Sequence, residues 1–218
     1  MPIRQAGTTG AFPSDEQNVY EIESDGLYLA GTAEIPLASL HAGEILAPDE
    51  LPLRYVAFSP CFRREAGAAG RDTHGMIRVH QFNKVEQFAL TGPGRSWDEH
   101  ELLLANTEEL VRDLGLPYRV VVLPAGDMSA ASAKTYDVEV WFPSQGRYRE
   151  AASVSNTTDF QARRLGIRYR ADEKRLATPH TLNGTAVTDR WLLALLENFR
   201  GEVPDVLRQY GAPPRVAG

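Results

Sequence analysis

The segment FSPCFRREAGAAGRDTHGMIRVHQFNKVEQF, residues 58–88, decides the fold of this 218-residue chain. Residues 54–65 predict one strand, and residues 76–90 predict a second, longer strand. The sequence between them, residues 66–75, contains three glycines, which favour a loop. The segment therefore predicts a β-hairpin with a long tip.

The second strand of this hairpin predicts an ordered polar face. Because side chains alternate between the faces of a strand, one face carries Arg78, His80, Phe82, Lys84 and Glu86. Arg78 to Phe82 spans about 13 Å, and Glu86 lies about 13 Å further on, which is the scale of a nucleotide plus a small amino acid. An arginine fork binds two phosphate oxygens, and an aromatic ring can stack on a purine. A solvated, charged sheet face is the alternative interpretation.

The overall composition is that of an ordinary globular protein, with 43% hydrophobic and 24% charged residues. The length predicts a single domain over residues 1–218. The sequence has no apolar run that approaches the roughly 20 residues of a membrane helix and no evident targeting segment. The single Cys61 excludes an intrachain disulfide and a cysteine-rich zinc site. We therefore expect a cytoplasmic protein with no zinc and no membrane partner.

The net charge of −6 argues against a broad nucleic-acid-binding surface. Basic residues are nevertheless concentrated in two segments. They are Arg63, Arg64, Arg71 and Arg78 in the first, and Arg163, Arg164, Arg168, Arg170, Lys174 and Arg175 in the second. Each segment is either a solvated charged face or a local site for a polyanion, such as a triphosphate or an RNA end.

Residues 96–114 predict a long helix. Ser96 and Glu99 have the spacing of a capping box, and Gly115 is a natural stop. The helical period predicts a buried stripe of Leu103, Thr107, Leu110 and Leu114.

The remaining elements predict an α+β fold. Residues 27–40 begin extended and turn helical, and residues 118–123, 136–142 and 148–155 predict strands. Residues 188–199 predict a helix that is apolar almost all round, as is usual for a helix buried against a sheet. Runs of antiparallel strands with flanking helices favour α+β over alternating βαβ winding.

The hairpin segment resembles motif 2 of the class II aminoacyl-tRNA synthetases in its seryl form. That form reads FR-x-E-AG, a variable loop, and then G-(L/M)-x-R-x-H-Q-F-x-K-V-E, and its anchors appear here in register. Four further segments resemble the same family in the same order. They are LYLAGTAEIPL (27–37), the strand pair in 126–150, SVSNTTDFQARR (153–164) and a motif 3 in HTLNGTAVTDRWLLALLEN (180–198).

The resemblance implies a six-stranded antiparallel sheet flanked by helices, with the active site on one sheet face. It implies that serine is activated with ATP to seryl-adenylate and transferred to tRNA(Ser). Arg63, Arg78 and Arg190 would be the catalytic arginines. The residues implied for ATP are Arg63, Glu65, Arg78, Phe82, Glu150, Ser153 and Arg190.

The resemblance also implies a serine pocket and a magnesium site. The residues implied for serine are Thr32, Glu34, Arg63, Glu86, Asn183 and Thr185, and Glu150 and Ser153 would bind Mg²⁺. The buried carboxylate of Glu86 would penalise alanine, which lacks the hydroxyl that serine offers.

The sequence departs from the family pattern in places. It contains neither the coiled-coil arm nor motif 1, so we expect weak binding of the tRNA acceptor end and a homodimer through a different surface. Motif 3 is one residue short between Asn183 and Arg190, a loss that rotates Arg190 by about 100° unless the loop absorbs it. Two alternatives stay open: a paralogue that loads an amino acid on a non-tRNA acceptor, and a non-catalytic regulatory paralogue.

Overall fold

The computed structural model describes residues 2–3, 18–66 and 76–216. The predicted tip of the hairpin lies almost wholly outside this part of the chain. The first described elements are three short strands, β1 (Pro2–Ile3), β2 (Glu21–Ile22) and β3 (Leu27–Leu29), which form a small sheet in the order β1-β3-β2. Helix α1 (Glu34–Ala38) follows, as the predicted change from extended to helical chain requires.

A six-stranded antiparallel sheet forms the centre of the fold and confirms the predicted class. After the short β4 (Ile45–Leu46), its strands are β5 (Leu53–Phe62), β6 (Gln81–Thr91), β7 (Tyr118–Val122), β8 (Lys134–Phe142), β9 (Arg147–Asn156) and, late in the chain, β12 (His180–Thr188). The strand order is β5-β6-β12-β9-β8-β7. Strand β5 therefore forms one edge, and the motif 2 and motif 3 strands lie side by side.

Helices cover both faces of this sheet. On one face α2 (Ser96–Asp113) and α4 (Asp189–Phe199) pack around fully buried side chains such as Val111, Phe142 and Trp191. On the other face α1 and α3 (Phe160–Arg164) pack against Phe88 and Ile167. Strands β10 (Arg168–Arg170) and β11 (Leu176–Ala177) pair in the order β11-β10-β4, and α5 (Asp205–Arg208) follows α4. No helix in the described residues is long and apolar enough to cross a bilayer.

The hairpin strands are shorter at the loop end than predicted. Strand β5 ends at Phe62, and β6 begins only at Gln81, its partner in the register. One further backbone hydrogen bond joins Arg63 N to His80 O at 2.9 Å, after which Glu65 takes a positive φ of 53° and turns the chain away. The predicted shared strand face is therefore wrong for Arg78 and His80, and right for Phe82 and the residues after it.

Two predictions about α2 are also wrong. The Ser96 hydroxyl bonds to Pro93 O at 3.3 Å, and the Glu99 carboxylate binds Arg54, so no capping box forms. The buried stripe contains Leu103, Thr107 and Val111, whereas Leu110 is exposed. The stop at Gly115, with φ of 69°, is confirmed.

The helix α4 is amphipathic in the structure. Trp191, Ala194 and Leu195 are buried, but Leu192 and Leu196 are exposed. The single thiol, Cys61, lies opposite Phe82 in the β5–β6 register and is 0% exposed.

Candidate active site

A cleft of about 670 Å³ lies over the face of the sheet that carries Phe82, Lys84 and Glu86. All twelve site residues predicted from the sequence line it. They are Thr32, Glu34, Arg63, Glu65, Arg78, Phe82, Glu86, Glu150, Ser153, Asn183, Thr185 and Arg190. These residues come from β6, β9, β12, α1, α4 and the segments that connect the elements, so the antiparallel topology gathers them from distant parts of the sequence.

Arg63 and Phe82 form one wall of the cleft. Arg63 Nε donates to the backbone oxygen of Gly31 at 3.2 Å, and its guanidinium carbon lies 5.3 Å from the centre of the Phe82 ring. A guanidinium over an aromatic face is a favourable cation–π contact. The contact with Gly31 and the ring together fix the orientation of the arginine fork at the mouth of the cleft.

Arg78 reaches the cleft from an irregular segment rather than from a strand. Its Nη1 lies 2.6 Å from Glu65 Oε2, and this ion pair connects the two ends of the hairpin beside the loop. Both side chains remain partly exposed, so they are accessible to a ligand. The pairing also keeps two opposite charges at the same end of the cleft as Arg63.

The carboxylate of Glu34 is held by two amide groups. Gln161 Nε2 donates to Glu34 Oε1 at 2.7 Å, and Asn183 Nδ2 donates to the same oxygen at 3.1 Å. Gln161 is fully buried, and its oxygen accepts from Thr181 Oγ1 at 2.8 Å. This chain of hydrogen bonds connects Glu34 to the interior behind α3 and leaves little freedom for its carboxylate.

The carboxylate of Glu86 lies at the floor of the cleft and forms an ion pair with Lys84. Lys84 Nζ also donates to Thr32 Oγ1 at 2.7 Å. The pKa of Glu86 is raised from its ordinary value: burial raises it most, the Lys84 ammonium offsets part of this increase, and the nearby Glu34 carboxylate raises it further. Thr32 in turn accepts from the backbone N–H of Glu34, the first residue of α1, at 3.2 Å, so it contacts this helix as well as lining the cleft.

Glu150 and Ser153 lie on β9 across the cleft from Arg63, next to a buried carboxyl group. Asp137 pairs with Ser153 in the β8–β9 register, and the Ser153 side chain hydrogen-bonds to its carboxyl group. Burial and, to a smaller extent, the Glu150 charge raise the pKa of Asp137 to about 6. The Oδ1 atom of Asp137 is buried and has no hydrogen-bond partner within the described residues.

This group of oxygens fits a magnesium ion. Mg²⁺ takes hard oxygen ligands and usually keeps several waters, so one or two protein ligands suffice. Glu150 is half-exposed toward the cleft, and the buried, unpartnered oxygen of Asp137 adds negative charge behind Ser153. No three His, Cys, Asp or Glu side chains converge as a metal cluster among the residues the structure describes.

Arg190 lies in the cleft despite the shortened motif 3. Strand β12 has a register shift between Thr185 and Val187, just before α4 begins. Arg190 Nη2 donates to Ile77 O at 3.3 Å, and its Nη1 donates to the backbone oxygen of Glu150. Its neighbour Asp189 accepts from the backbone N–H of Asn83 at 2.7 Å, which fixes the first turn of α4 against β6.

The second basic segment lies outside the cleft, on α3, on β10 and in the turn between β10 and β11. Arg163 pairs with Asp159 at 2.9 Å, and Arg175 pairs with Asp172 at 3.0 Å. The solvated charged face is therefore the better interpretation of this segment, and the first segment keeps the prediction of a polyanion site. Arg64 is exposed and does not line the cleft, and Arg71 lies outside the described residues.

Residues 19–199, which build this cleft, match the family model described as the tRNA synthetase class II core domain (G, H, P, S and T). The chain belongs to the class II tRNA synthetase core family. Its predicted fold and its resemblance to the seryl form are both confirmed by the comparisons that follow.

This class II core is similar to seryl-type proteins along its whole length. It is 52% identical to the serine–tRNA ligase of Pyrococcus furiosus over 216 residues, which cover 95% of this chain and 47% of the relative. The structure of the Pyrococcus horikoshii seryl-tRNA synthetase complexed with ATP matches with a TM-score of 0.94 and 46% identity, covering 99% of this chain and 51% of that chain. The serine–tRNA ligase of Naegleria fowleri in complex with AMP matches with a TM-score of 0.92 and 36% identity, covering 100% and 55%. The chain thus spans about half the length of the curated relatives it matches.

Sequence reasoning placed Lys84 of this class II core on the polar face without giving it a role, and it missed Asp137 and Gln161. Each lies within a segment that resembles the family, and Lys84 has the right strand parity. Parity assigns a side chain to a face of the sheet, but it does not reveal which neighbours cover that face. Only the packing of α1 and α3 over the sheet shows that Lys84 and Gln161 support the predicted serine pocket.

Proposed function

We propose that this chain activates serine with ATP, forms seryl-adenylate and pyrophosphate, and transfers the seryl group to the acceptor end of tRNA(Ser). The observation that carries the proposal is that one cleft combines three arginines with two held carboxylates. Arg63, Arg78 and Arg190 line it. The same cleft contains Glu34, held by two amide groups, and Glu86, paired with Lys84. The arginines suit a polyphosphate, and the carboxylates suit a small amine that carries a hydroxyl group.

The proposed chemistry needs alignment and charge stabilisation rather than a general base. The carboxylate of serine is already ionised at neutral pH, so it attacks the α-phosphorus without losing a proton. Catalysis then depends on holding the two reactants in line and on stabilising the charge that develops on phosphate. The orientation of Arg63 by Gly31 and Phe82 supports this role, because a fixed donor does not have to reorganise during the reaction.

Glu150 and Ser153 would hold a magnesium ion in this proposal. A bound Mg²⁺ would neutralise phosphate charge and orient the triphosphate. Arg190 contacts the Glu150 carboxylate at 3.4 Å, so the protein already balances part of the negative charge there. Asp137 would support the site from behind through its hydrogen bond with Ser153.

The serine end of the cleft supports selection by hydrogen bonding. Glu34, fixed by Gln161 and Asn183, would accept from the ammonium group of the amino acid. Glu86 would accept from the side-chain hydroxyl. A site built to bind a hydroxyl rejects the analogue that lacks it, because its buried acceptor is then left unpaired. Threonine would be excluded by its extra methyl group rather than by hydrogen bonding.

Amino-acid-dependent ATP–pyrophosphate exchange tests the proposal directly. We expect magnesium-dependent exchange with serine that exceeds exchange with threonine and alanine. Exchange with many amino acids equally, or with none, would contradict it. Transfer to tRNA(Ser) is measured separately, so that exchange without transfer would favour a non-tRNA acceptor.

We also propose that the chain binds tRNA(Ser) weakly. The net charge is −6, and the second basic segment is turned away from the cleft and is paired in part with acidic residues. Sequence-independent affinity for nucleic acid comes largely from cations on phosphates. A tRNA titration at physiological salt measures this, and binding at micromolar concentration or tighter would contradict it.

A two-fold dimer through the edge strand β5 completes the proposal. Val56 and Phe58 are 72% and 70% exposed on this strand, which has a sheet partner on one side only. Exposed edge strands and apolar patches favour association. Sedimentation should show a dimer that the Phe58→Lys variant weakens. A wild-type chain that stays monomeric at high concentration would contradict this part of the proposal.

A further inference from the structure

Lys84 and Glu86 form a buried ion pair in the cleft. The family resemblance assigns a role to Glu86 but none to Lys84. Lys84 is 7% exposed and Glu86 is 1% exposed. Both side chains leave β6 on the same face, two residues apart. Taking two charges out of water costs several kcal/mol for each ion, so such a pair needs good geometry and additional hydrogen bonds.

The lysine has one such additional bond, and it leads to the amino-acid end of the cleft. Its Nζ donates to Thr32 Oγ1 at 2.7 Å while it contacts Glu86 Oε2. It therefore bridges a residue just before α1 and a residue on β6. Thr32 and Glu86 are both proposed to face serine, which places the ammonium group behind the amino-acid pocket.

The charges around Glu86 come from three elements. Lys84 lies on the same strand, Glu34 lies on α1, and Arg63 follows β5. On β12 the residue opposite Glu86 in the register is Thr185, which is uncharged. Burial and Glu34 both favour the neutral acid, whereas Lys84 and, to a smaller extent, Arg63 favour the carboxylate. Lys84 is thus the main group that opposes protonation.

We propose that Lys84 is a specificity-determining positioning residue: it holds Glu86 as an ionised, acceptor-only carboxylate and ties it to Thr32, so that the pocket requires a hydroxyl donor. The inference rests on the proposed activation of serine and deepens it.

The chemistry of the carboxyl group explains why its ionisation decides specificity. An ionised carboxylate only accepts hydrogen bonds, whereas a protonated carboxyl group both donates and accepts. Serine donates its hydroxyl proton to an acceptor, and alanine leaves the same acceptor buried and unpaired. If Glu86 were neutral, the pocket would no longer disfavour alanine in this way. It would still reject threonine, because that rejection depends on shape.

A double-mutant cycle in the exchange assay tests the proposal. Lys84→Met removes the charge and keeps the length, Lys84→Arg keeps the charge, and Glu86→Gln removes the ionisable partner. In Lys84→Met we expect the serine-over-alanine ratio of kcat/KM to fall about tenfold or more, since a hydrogen bond to a charged group is roughly twice as strong as a neutral one. The loss should appear mainly in KM for serine, and the serine-over-threonine ratio should change much less.

The other variants separate positioning from a general structural defect. Lys84→Arg should restore most of the serine-over-alanine ratio. In the Glu86→Gln background, Lys84→Met should change this ratio less than about twofold, because the group on which it acts is already gone. KM for serine in Lys84→Met should rise as the pH falls from 8.5 to 6.5, and it should stay nearly flat in the wild type. A ratio that is unchanged in a folded Lys84→Met, or the same loss in both backgrounds, would overturn the proposal.

Infrared spectroscopy gives a measurement that does not need activity. At pH 8, where Asp137 is ionised, Lys84→Met should show the carbonyl band of a protonated carboxyl group, and the wild type and the Lys84→Met/Glu86→Gln double variant should lack that band. Its absence in Lys84→Met would overturn the proposal even if the wild type activates serine. If the wild type activates no amino acid, the proposed function fails, and the infrared result alone decides whether Lys84 keeps Glu86 ionised. The double variant has no charge at positions 84 and 86, so it also serves as the folded control.

Discussion

Arg54 on the edge strand β5 binds Glu99 in the first turn of α2 through two hydrogen bonds. Arg54 Nε and Nη2 donate to the two oxygens of the Glu99 carboxylate at 2.8 and 2.7 Å. Glu99 is 2% exposed, whereas Arg54 remains half-exposed. This paired geometry connects the helix to the strand that leads into the cleft, and it explains why Glu99 is not available to cap its own helix.

Arg54→Ala should therefore destabilise the fold by about 1–3 kcal/mol, because it leaves a buried carboxylate without its donors. Urea unfolding at pH 7 measures the change. Arg112→Ala is the matched control, since Arg112 lies 3.9 Å from Glu108 in an exposed pair worth about 0–1 kcal/mol. Equal effects of the two substitutions would show that the Arg54 pair contributes no more than a surface contact.

Arg63→Ala should reduce serine-dependent exchange by about 10²–10³-fold while the unfolding transition stays cooperative. The reason is that loss of one oriented donor to developing charge has a cost of this size. Arg64→Ala is the control, because Arg64 is exposed, follows Arg63 directly and lies outside the cleft. Near-normal exchange in Arg63→Ala would assign Arg63 to the cation–π contact with Phe82 alone.

Gln161→Ala should raise KM for serine about tenfold with a smaller change in kcat. Gln161 donates to Glu34 at 2.7 Å, and removal of a hydrogen bond to a charged group costs about 1.5–3 kcal/mol. Exchange kinetics at varied serine and fixed ATP measure the effect, and KM for ATP should not change. The exposed Gln209→Ala is the control. An equal rise in both KM values would indicate a distorted fold instead.

Asp137→Asn should change how stability depends on pH. The pKa of Asp137 is raised from 3.8 to about 6, so the folded state binds a proton more tightly than the unfolded state. Its contribution to stability is therefore greatest at low pH and is lost as the pH rises from about 4 to about 6. As the pH rises through this range, the free energy of unfolding of Asp137→Asn should increase relative to that of the wild type.

Urea midpoints at pH 4, 5, 6 and 7 in the presence of a chelator measure the Asp137 effect. The exposed Asp49→Asn serves as the control and should run parallel to the wild type. A constant difference between Asp137→Asn and the wild type at every pH would contradict the prediction.

Much of the fold followed from periodicity and family resemblance, because strands and helices with one buried face have a clear pattern. The strands that carry Phe82 and Glu150 were placed correctly to within a few residues, whereas the strand that carries Asn183 was not predicted from periodicity. The early part of the second hairpin strand was placed wrongly. Residues 76–80 have the alternating sequence pattern of a strand, but the pairing of β5 with β6 ends at Phe62 and Gln81. Beyond that point the chain bends, and Arg78 forms an ion pair with Glu65.

The supporting residues of the site could not be identified from local pattern. A lysine between polar neighbours on a strand resembles a solvated surface residue, and only the cover provided by α1 makes Lys84 buried. Ser96 and Glu99 have the spacing of a capping box, but tertiary partners, Pro93 and Arg54, take both side chains. Glu99 binds a residue distant in sequence, and Ser96 bonds to a residue of the preceding turn. Neither side chain therefore makes the contact that the spacing predicted.

Because Cys61 is buried, the reactivity of its thiol reports local opening of the native structure. This residue is the single thiol in the sequence, it is fully covered, and it pairs with Phe82 at the edge of the cleft. A thiol reagent can reach it only when the β5–β6 hairpin separates, so the alkylation rate measures the free energy of that local opening. Ligands that bridge Arg63 and Phe82 should slow the labelling, and occupancy of the cleft could then be followed without a radioactive substrate or an engineered probe.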